Sequence, residues 1–122
     1  LAAGLAEVRA ERPLTAVVHT GGGLDDGVLT ARTPERVAAV LRPTVEAAWH
    51  RHERTRGRPL RGFVLVRSPA GGLGQSGQSS YGAATGVLDA LAQRRRAEGL
   101  GATAVAWGLG AEYSGMTSHL DE

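Results

Sequence analysis

The chain has 122 residues, with 14 basic and 12 acidic side chains and a formal net charge of +2; this is room for one ordinary domain and too weak a field to steer it toward nucleic acid or a lipid surface. Hydrophobic residues make up 42%, enough for a core and too many for a disordered segment, and no apolar run is long enough to span a bilayer. Cysteine, lysine, asparagine and isoleucine do not occur, so disulfides, thiolate metal sites, a cysteine nucleophile and any step needing a lysine or asparagine of these residues are excluded.

The opening residues, Leu1 to Glu11, read as the end of a helix that leads through Pro13 into a first strand, Leu14 to His19. Thr33 is a good N-cap and Pro34 suits the first helical position, so a helix starts there, with an apolar stripe of Val37, Leu41, Val45, Ala48 and His52. Pro43 interrupts that stripe and is expected to bend the helix. A second strand covers Phe63 to Val66, and a second long helix runs from about Tyr81 to Glu98, with Ala84, Leu88 and Leu91 on one face and Gly99 as its C-terminal cap. A third strand follows, Ala102 to Trp107. The strands are near-continuous apolar runs, which predicts burial on both faces of a parallel sheet. The alternation of helix and strand predicts an open α/β sheet with right-handed crossovers. Three strands make a narrow sheet, so residues 1–122 are expected to be part of a longer polypeptide.

In such sheets ligands sit beyond the carboxyl ends of the strands. Here the first strand ends in His19, Thr20 and three glycines, followed by Leu24, Asp25 and Asp26; the second ends in Arg67, Ser68 and Pro69, and the third in Trp107 and Gly108. The glycines allow a close approach to a flat ligand or serve only as turns; their spacing is not the dinucleotide fingerprint. Ser68 and Tyr81 form a hydroxyl pair able to hydrogen-bond a substrate carbonyl, with the phenol as proton donor or acceptor. His19, His50, His52 and His119 lack metal-ligand spacing, so no metal site is expected. Arg94, Arg95 and Arg96 read as a solvated run favourable to the helix dipole, with a phosphate or carrier-protein contact as the alternative.

Together, LTAVVHTGGGLDDGVL, TPERVAAVLRPTVEAAWHRHE, FVLVRSPAGGLGQSGQSSYGAATGVLDALAQRRRAEGL and ATAVAWGLGAEYSGM resemble the catalytic half of a ketoreductase domain from a modular type I polyketide synthase, within the short-chain dehydrogenase/reductase superfamily. The resemblance covers almost the whole chain in order. It implies a Rossmann-like parallel sheet with flanking helices, of which residues 1–122 are the C-terminal catalytic part, in a cytoplasmic synthase. The bias against residues with A/T-rich codons implies a GC-rich genome such as an actinobacterium's. By the resemblance, the catalytic serine falls on Ser68 and the catalytic tyrosine on Tyr81. The family's lysine falls on Thr44 and its asparagine on Thr85, so both are degenerate positions here. The lysine's cation normally favours the tyrosinate and helps place the cofactor's ribose; threonine supplies no charge. Leu24, Asp25 and Asp26 match the LDD motif of B-type ketoreductases, and Leu65 stands where A-type enzymes carry tryptophan.

Retained serine and tyrosine without lysine and asparagine resemble the non-reducing, epimerising C2-type group. The expected function is therefore epimerisation of the α-substituent of a 2-alkyl-3-ketoacyl thioester, presented on the phosphopantetheine arm of an acyl carrier protein and flanked by other domains of the synthase. The alternatives are an NADPH-dependent B-type 3-ketoacyl reductase and an inactive structural domain. NADPH is the family's cofactor, and its binding by this domain is left open.

Overall fold

A computed structural model describes residues 1–8, 10–23, 29–31, 33–69 and 79–108. In chain order the elements are α1 (Ala2–Ala6), β1 (Ala16–His19), a 3-10 turn (Leu29–Ala31), α2 (Pro34–Leu41), a π-helical segment (Arg42–Glu46), α3 (Ala47–Thr55), β2 (Gly62–Arg67), α4 (Ser79–Ala97) and β3 (Thr103–Ala106). The strands form one parallel sheet in the order β1-β2-β3, with Val17 beside Phe63, Leu65 beside Ala104 and Arg67 beside Ala106. This is a Rossmann-like arrangement, as the alternation of elements predicts.

Local chemistry sets the helix ends where the sequence places them. Thr33 is extended, its hydroxyl accepts from the Arg36 N–H at 3.3 Å, and Pro34 opens α2. At the far end of α4, Gly99 has φ +79°, the Leu100 N–H reaches the Arg95 carbonyl at 2.8 Å and the Gly99 N–H reaches that of Arg96 at 3.1 Å. These are the two bonds of a Schellman cap, and the left-handed residue at its centre favours glycine.

Pro43 produces a widened turn. It has no N–H to donate to the preceding turn, and over Arg42–Glu46 the chain takes five-residue π turns before α3 resumes. The buried face changes accordingly. Val40, Thr44, Ala48, His52 and Thr55 are buried, whereas Val37, Leu41 and Val45 of the predicted stripe are only half-buried. A wider turn keeps residues four apart in line, so the stripe passes through Val40 and Thr44; the prediction assumed uniform α winding through the proline. On α4 the predicted face holds, since Ala84, Leu88 and Leu91 are all buried.

The core joins Val17, Phe63 and Leu65 of the sheet to Ala48 of α3 and Leu88, Leu91 and Ala92 of α4; burying one large apolar side chain stabilises a fold by about 1.5–3 kcal/mol. The strands were expected to be buried on both faces. Among the described residues only the face bearing Val17, His19, Phe63 and Leu65 is buried, while Val18 is 60% and Trp107 68% exposed. The core residues of α3 and α4 pack on that one face.

The arginine run is not uniformly solvated. Arg94 lies over Trp49 and pairs with Glu98, and Arg96 donates to the Ala102 carbonyl, but Arg95 is 2% exposed. Its position four residues after Leu91 puts it on the buried face. There its guanidinium carbon sits 3.8 Å from the centre of the Phe63 ring, Nε donates to the Gly101 carbonyl, and Nη1 donates to His52 Nδ1 at 2.9 Å. A guanidinium has no acceptor, so this bond requires an unprotonated Nδ1 and a neutral His52. Burial lowers the pKa of His52, and the Arg95 charge lowers it further, against smaller upward pulls from Glu53 and Glu98. Burial likewise lowers that of His19.

Both histidines thus bind protons less well folded than unfolded. Their contribution to stability is complete above the ordinary histidine value near 6.5 and is lost as pH falls below it toward the lowered folded values. The unfolding free energy of the complete domain, measured by urea titration, should be level from pH 8 to 7 and decline from pH 6.5 to 5, with a slope approaching about 1.4 kcal/mol per pH unit for each histidine. His52→Gln should make that decline shallower; an equal slope in the variant counts against this origin.

Candidate active site

The carboxyl ends of β1 and β2, the π segment and the first turn of α4 converge on Tyr81. β1 ends at His19, whose ring is buried and whose Nε2 donates to the Thr44 carbonyl at 2.8 Å. That bond joins the strand to the π segment. Gly21 then passes directly against it: a Cβ there would lie 2.5 Å from the Pro43 carbonyl oxygen and 2.7 Å from His19 Cε1. The need for glycine at this position therefore comes from backbone packing inside the chain. Gly22 leads over Thr44 to Tyr81, a Cβ on it falling 4.0 Å from Thr44 Oγ1 and 3.9 Å from Tyr81 Cε2.

Ser68 lies just past the last residue of β2 and Tyr81 in the first turn of α4, both partly exposed. Their side chains are hydrogen-bonded to each other. Burial pushes the Tyr81 phenol above its ordinary value, and the Ser68 bond pulls partly the other way. The phenol is thus protonated at neutral pH, a donor rather than a base.

The two threonines differ in placement. Thr44 is 1% exposed, and its hydroxyl has no hydrogen-bond partner among the described residues. Thr85, also 1% exposed, turns its hydroxyl back to the Gly82 carbonyl at 3.1 Å within α4. So Ser68, Tyr81 and Thr44 come together, while Thr85 is engaged by its own helix. Leu24, Asp25 and Asp26 lie outside the described residues. Among those described, no group of histidine and carboxylate side chains is arranged to hold a metal ion, and no helix is long and apolar enough to cross a membrane.

Comparison with known proteins decides the family. The sequence profile of the KR domain matches residues 1–112. The chain belongs to the KR domain family. It is 61% identical over 121 residues, 99% of its length, to the polyketide synthase GfsB of Streptomyces halstedii, and 50% identical over 121 residues to the mycoketide-CoA synthase of Mycobacterium tuberculosis. It spans only 2% and 3% of those two proteins. Among solved structures it is similar to an A1-type ketoreductase, with TM-score 0.91, 42% identity and coverage of 98% of this chain and 25% of that one. It is also similar to a C2-type ketoreductase from a modular polyketide synthase, with TM-score 0.81, 36% identity and coverage of 99% and 25%. The likeness reaches both types, so the backbone does not sort this KR chain between them.

KR domains in general use NADPH. Among the described residues, the influences on the Tyr81 phenol are burial and Ser68, and no charged side chain is among them. Thr44, the residue on which the resemblance places the lysine, offers a neutral, buried hydroxyl. The described residues therefore do not fit the cation-assisted placing of ribose and phenol.

His19, Arg67 and Asp89 also shape the site and were not singled out from sequence. No spacing rule identifies His19. Arg67 and Asp89 are a charge pair only across the sheet-to-helix contact, at 2.6 Å.

Gly21→Ala sets a methyl against a backbone carbonyl, so the π segment or β1 must shift. Such overpacking costs about 1–3 kcal/mol. A lower urea midpoint is expected in Gly21→Ala and a much smaller change in Gly22→Ala; equal effects would contradict the packing described.

Proposed function

We propose that this KR domain is redox-impaired and epimerises the α-substituent of a carrier-bound 2-alkyl-3-ketoacyl thioester in a modular polyketide synthase. Residues 1–122 would be the C-terminal catalytic part of the domain, the substrate arriving on the phosphopantetheine arm of an acyl carrier protein. The observation that carries this reading is the Tyr81 phenol: protonated, bonded to Ser68 and with no charged side chain of the described residues acting on it.

The chemistry follows from those groups. Tyr81 and Ser68 donate to the ketone oxygen of the thioester. The α-carbon between two carbonyls is already acidic; its C–H bond breaks, the proton passes to solvent, and the electron pair moves onto the ketone oxygen as enol or enolate. Two aimed donors stabilise the charge developing there. Proton return to the same or the opposite face restores the ketone with the centre retained or inverted. No hydride enters and no oxidation state changes, so the role asks nothing of a lysine. Reduction would ask Tyr81 to be tuned by a cation that Thr44 does not supply.

The test incubates the complete domain with a 2-methyl-3-ketoacyl thioester deuterated at the α-carbon and follows deuterium loss by mass spectrometry, with and without NADPH. Exchange without a reduced product is expected, and Tyr81→Phe should slow it by about 10²–10³-fold. Reduction on adding NADPH would make the domain a B-type reductase, and no exchange above background would make it structural. Conversely, Thr44→Lys with Thr85→Asn should gain NADPH-dependent reduction, read as cofactor oxidation together with the hydroxyacyl product. A double variant that binds NADPH and still fails to reduce would count against Thr44 as the cause.

A further inference from the structure

We infer that Arg67 is a positioning residue for the Ser68–Tyr81 pair, clamping the end of β2 to α4 through Asp89 while holding the Ser68 peptide. The inference rests on the role proposed for that pair. Parity along β2 puts Arg67 on the same sheet face as Phe63 and Leu65, the face that α4 covers. From there Nε donates to Asp89 Oδ1 at 2.6 Å, and Nη1 of the same guanidinium donates to the Ser68 carbonyl at 3.1 Å. The Arg67 backbone is held as well, its carbonyl accepting from the Trp107 N–H at 2.8 Å, the last bond before the strand ends. Ser68 is the next residue, beyond that ladder, so its orientation depends on what grips its peptide.

Asp89 lies on α4 about two turns past Tyr81. The clamp therefore fixes the helix against the strand at a second point along its axis, the first being the Ser68–Tyr81 bond. Two points of attachment resist rotation as well as sliding; one resists only sliding. The guanidinium fork suits this task, with one N–H for a carboxylate and another for a carbonyl. Arg67 is 17% exposed and Asp89 35%, so the pair is partly shielded from solvent. Neither side chain is among the influences on the Tyr81 phenol, so Arg67 acts through Ser68.

The experiment titrates the Tyr81 phenol in the complete domain by tyrosinate absorbance, assigned by subtracting Tyr81→Phe. Ser68→Ala should raise its midpoint by removing a bond that favours the phenolate. Arg67→Gln should raise it as well, and the double variant should shift no further than Ser68→Ala alone. Additive shifts would mean that Arg67 acts by its charge and would overturn the inference, as would an unmoved midpoint in Arg67→Gln. Asp89→Asn is the second variant, expected to shift in the same direction and to serve if Arg67→Gln does not fold. In the exchange assay Arg67→Gln should slow turnover about 10- to 10²-fold, with KM little changed. If the unaltered domain shows no Tyr81-dependent exchange, the epimerase reading fails, and the phenol titration still decides the clamp.

Discussion

The site depends on the contact between the end of β1 and the widened turn at Pro43. A proline in mid-helix removes one backbone donor, and the π turns that follow carry the Pro43 and Thr44 carbonyls toward the strand. One of them accepts from His19, and the other lies against the backbone of Gly21, where only a residue without a Cβ passes. Loosening either contact would move Thr44 relative to Gly22 and Tyr81. The neutral state of His19 belongs to the same constraint. With Nε2 donating to the carbonyl, Nδ1 is buried without a partner among the described residues, so a second proton there would be an uncompensated buried charge.

Much of this architecture is legible in the sequence because local chemistry decides it. Thr33-Pro34 opens a helix, Gly99 closes one, and three apolar runs alternating with helices specify a parallel sheet. The buried stripe around Thr44 is legible only in part, since periodicity assumes uniform winding and a proline changes it. The apolar strands predict two buried faces, and Val18 and Trp107 remain exposed among the described residues, because what covers a face is a property of packing rather than of the strand. Arg95 is the sharpest case. A run of three arginines looks like a wetted helix end, yet its middle member stacks on Phe63 and holds His52 neutral. The spacing from Leu88 and Leu91 contained that information, and charge overrode it.

The candidate site divides the same way. Ser68 and Tyr81 are recognisable as residue types at the ends of elements, and their side chains are hydrogen-bonded to each other. The Arg67–Asp89 pair has no sequence signal, because its partners are 22 residues apart and joined only when α4 lies on the sheet. Thr44 and Thr85 stand at equivalent-looking losses in the sequence, but their surroundings are not equivalent. One hydroxyl is bonded within its own helix, and the other is buried beside the gap between Gly22 and Tyr81.

That difference bears on what chemistry remains. A cation near a phenol does two things: it lowers the energy of the phenolate and it attracts polar groups of a cofactor. A threonine hydroxyl brings no charge to either task, and burial moves the phenol the opposite way. A site in this state can give a hydrogen bond, and it parts with its proton less readily than a phenol with a cation beside it. It therefore suits a substrate that brings its own acidity, in which the enzyme needs only to stabilise an oxygen as charge arrives there. A β-ketoacyl thioester is such a substrate, and enolisation needs only that stabilisation. Hydride transfer needs the oxygen to be protonated in step with a correctly placed donor, which is where the missing charge matters. Under the proposed function, a cation missing at position 44 would remove the harder reaction before the easier one, which would still use Ser68 and Tyr81.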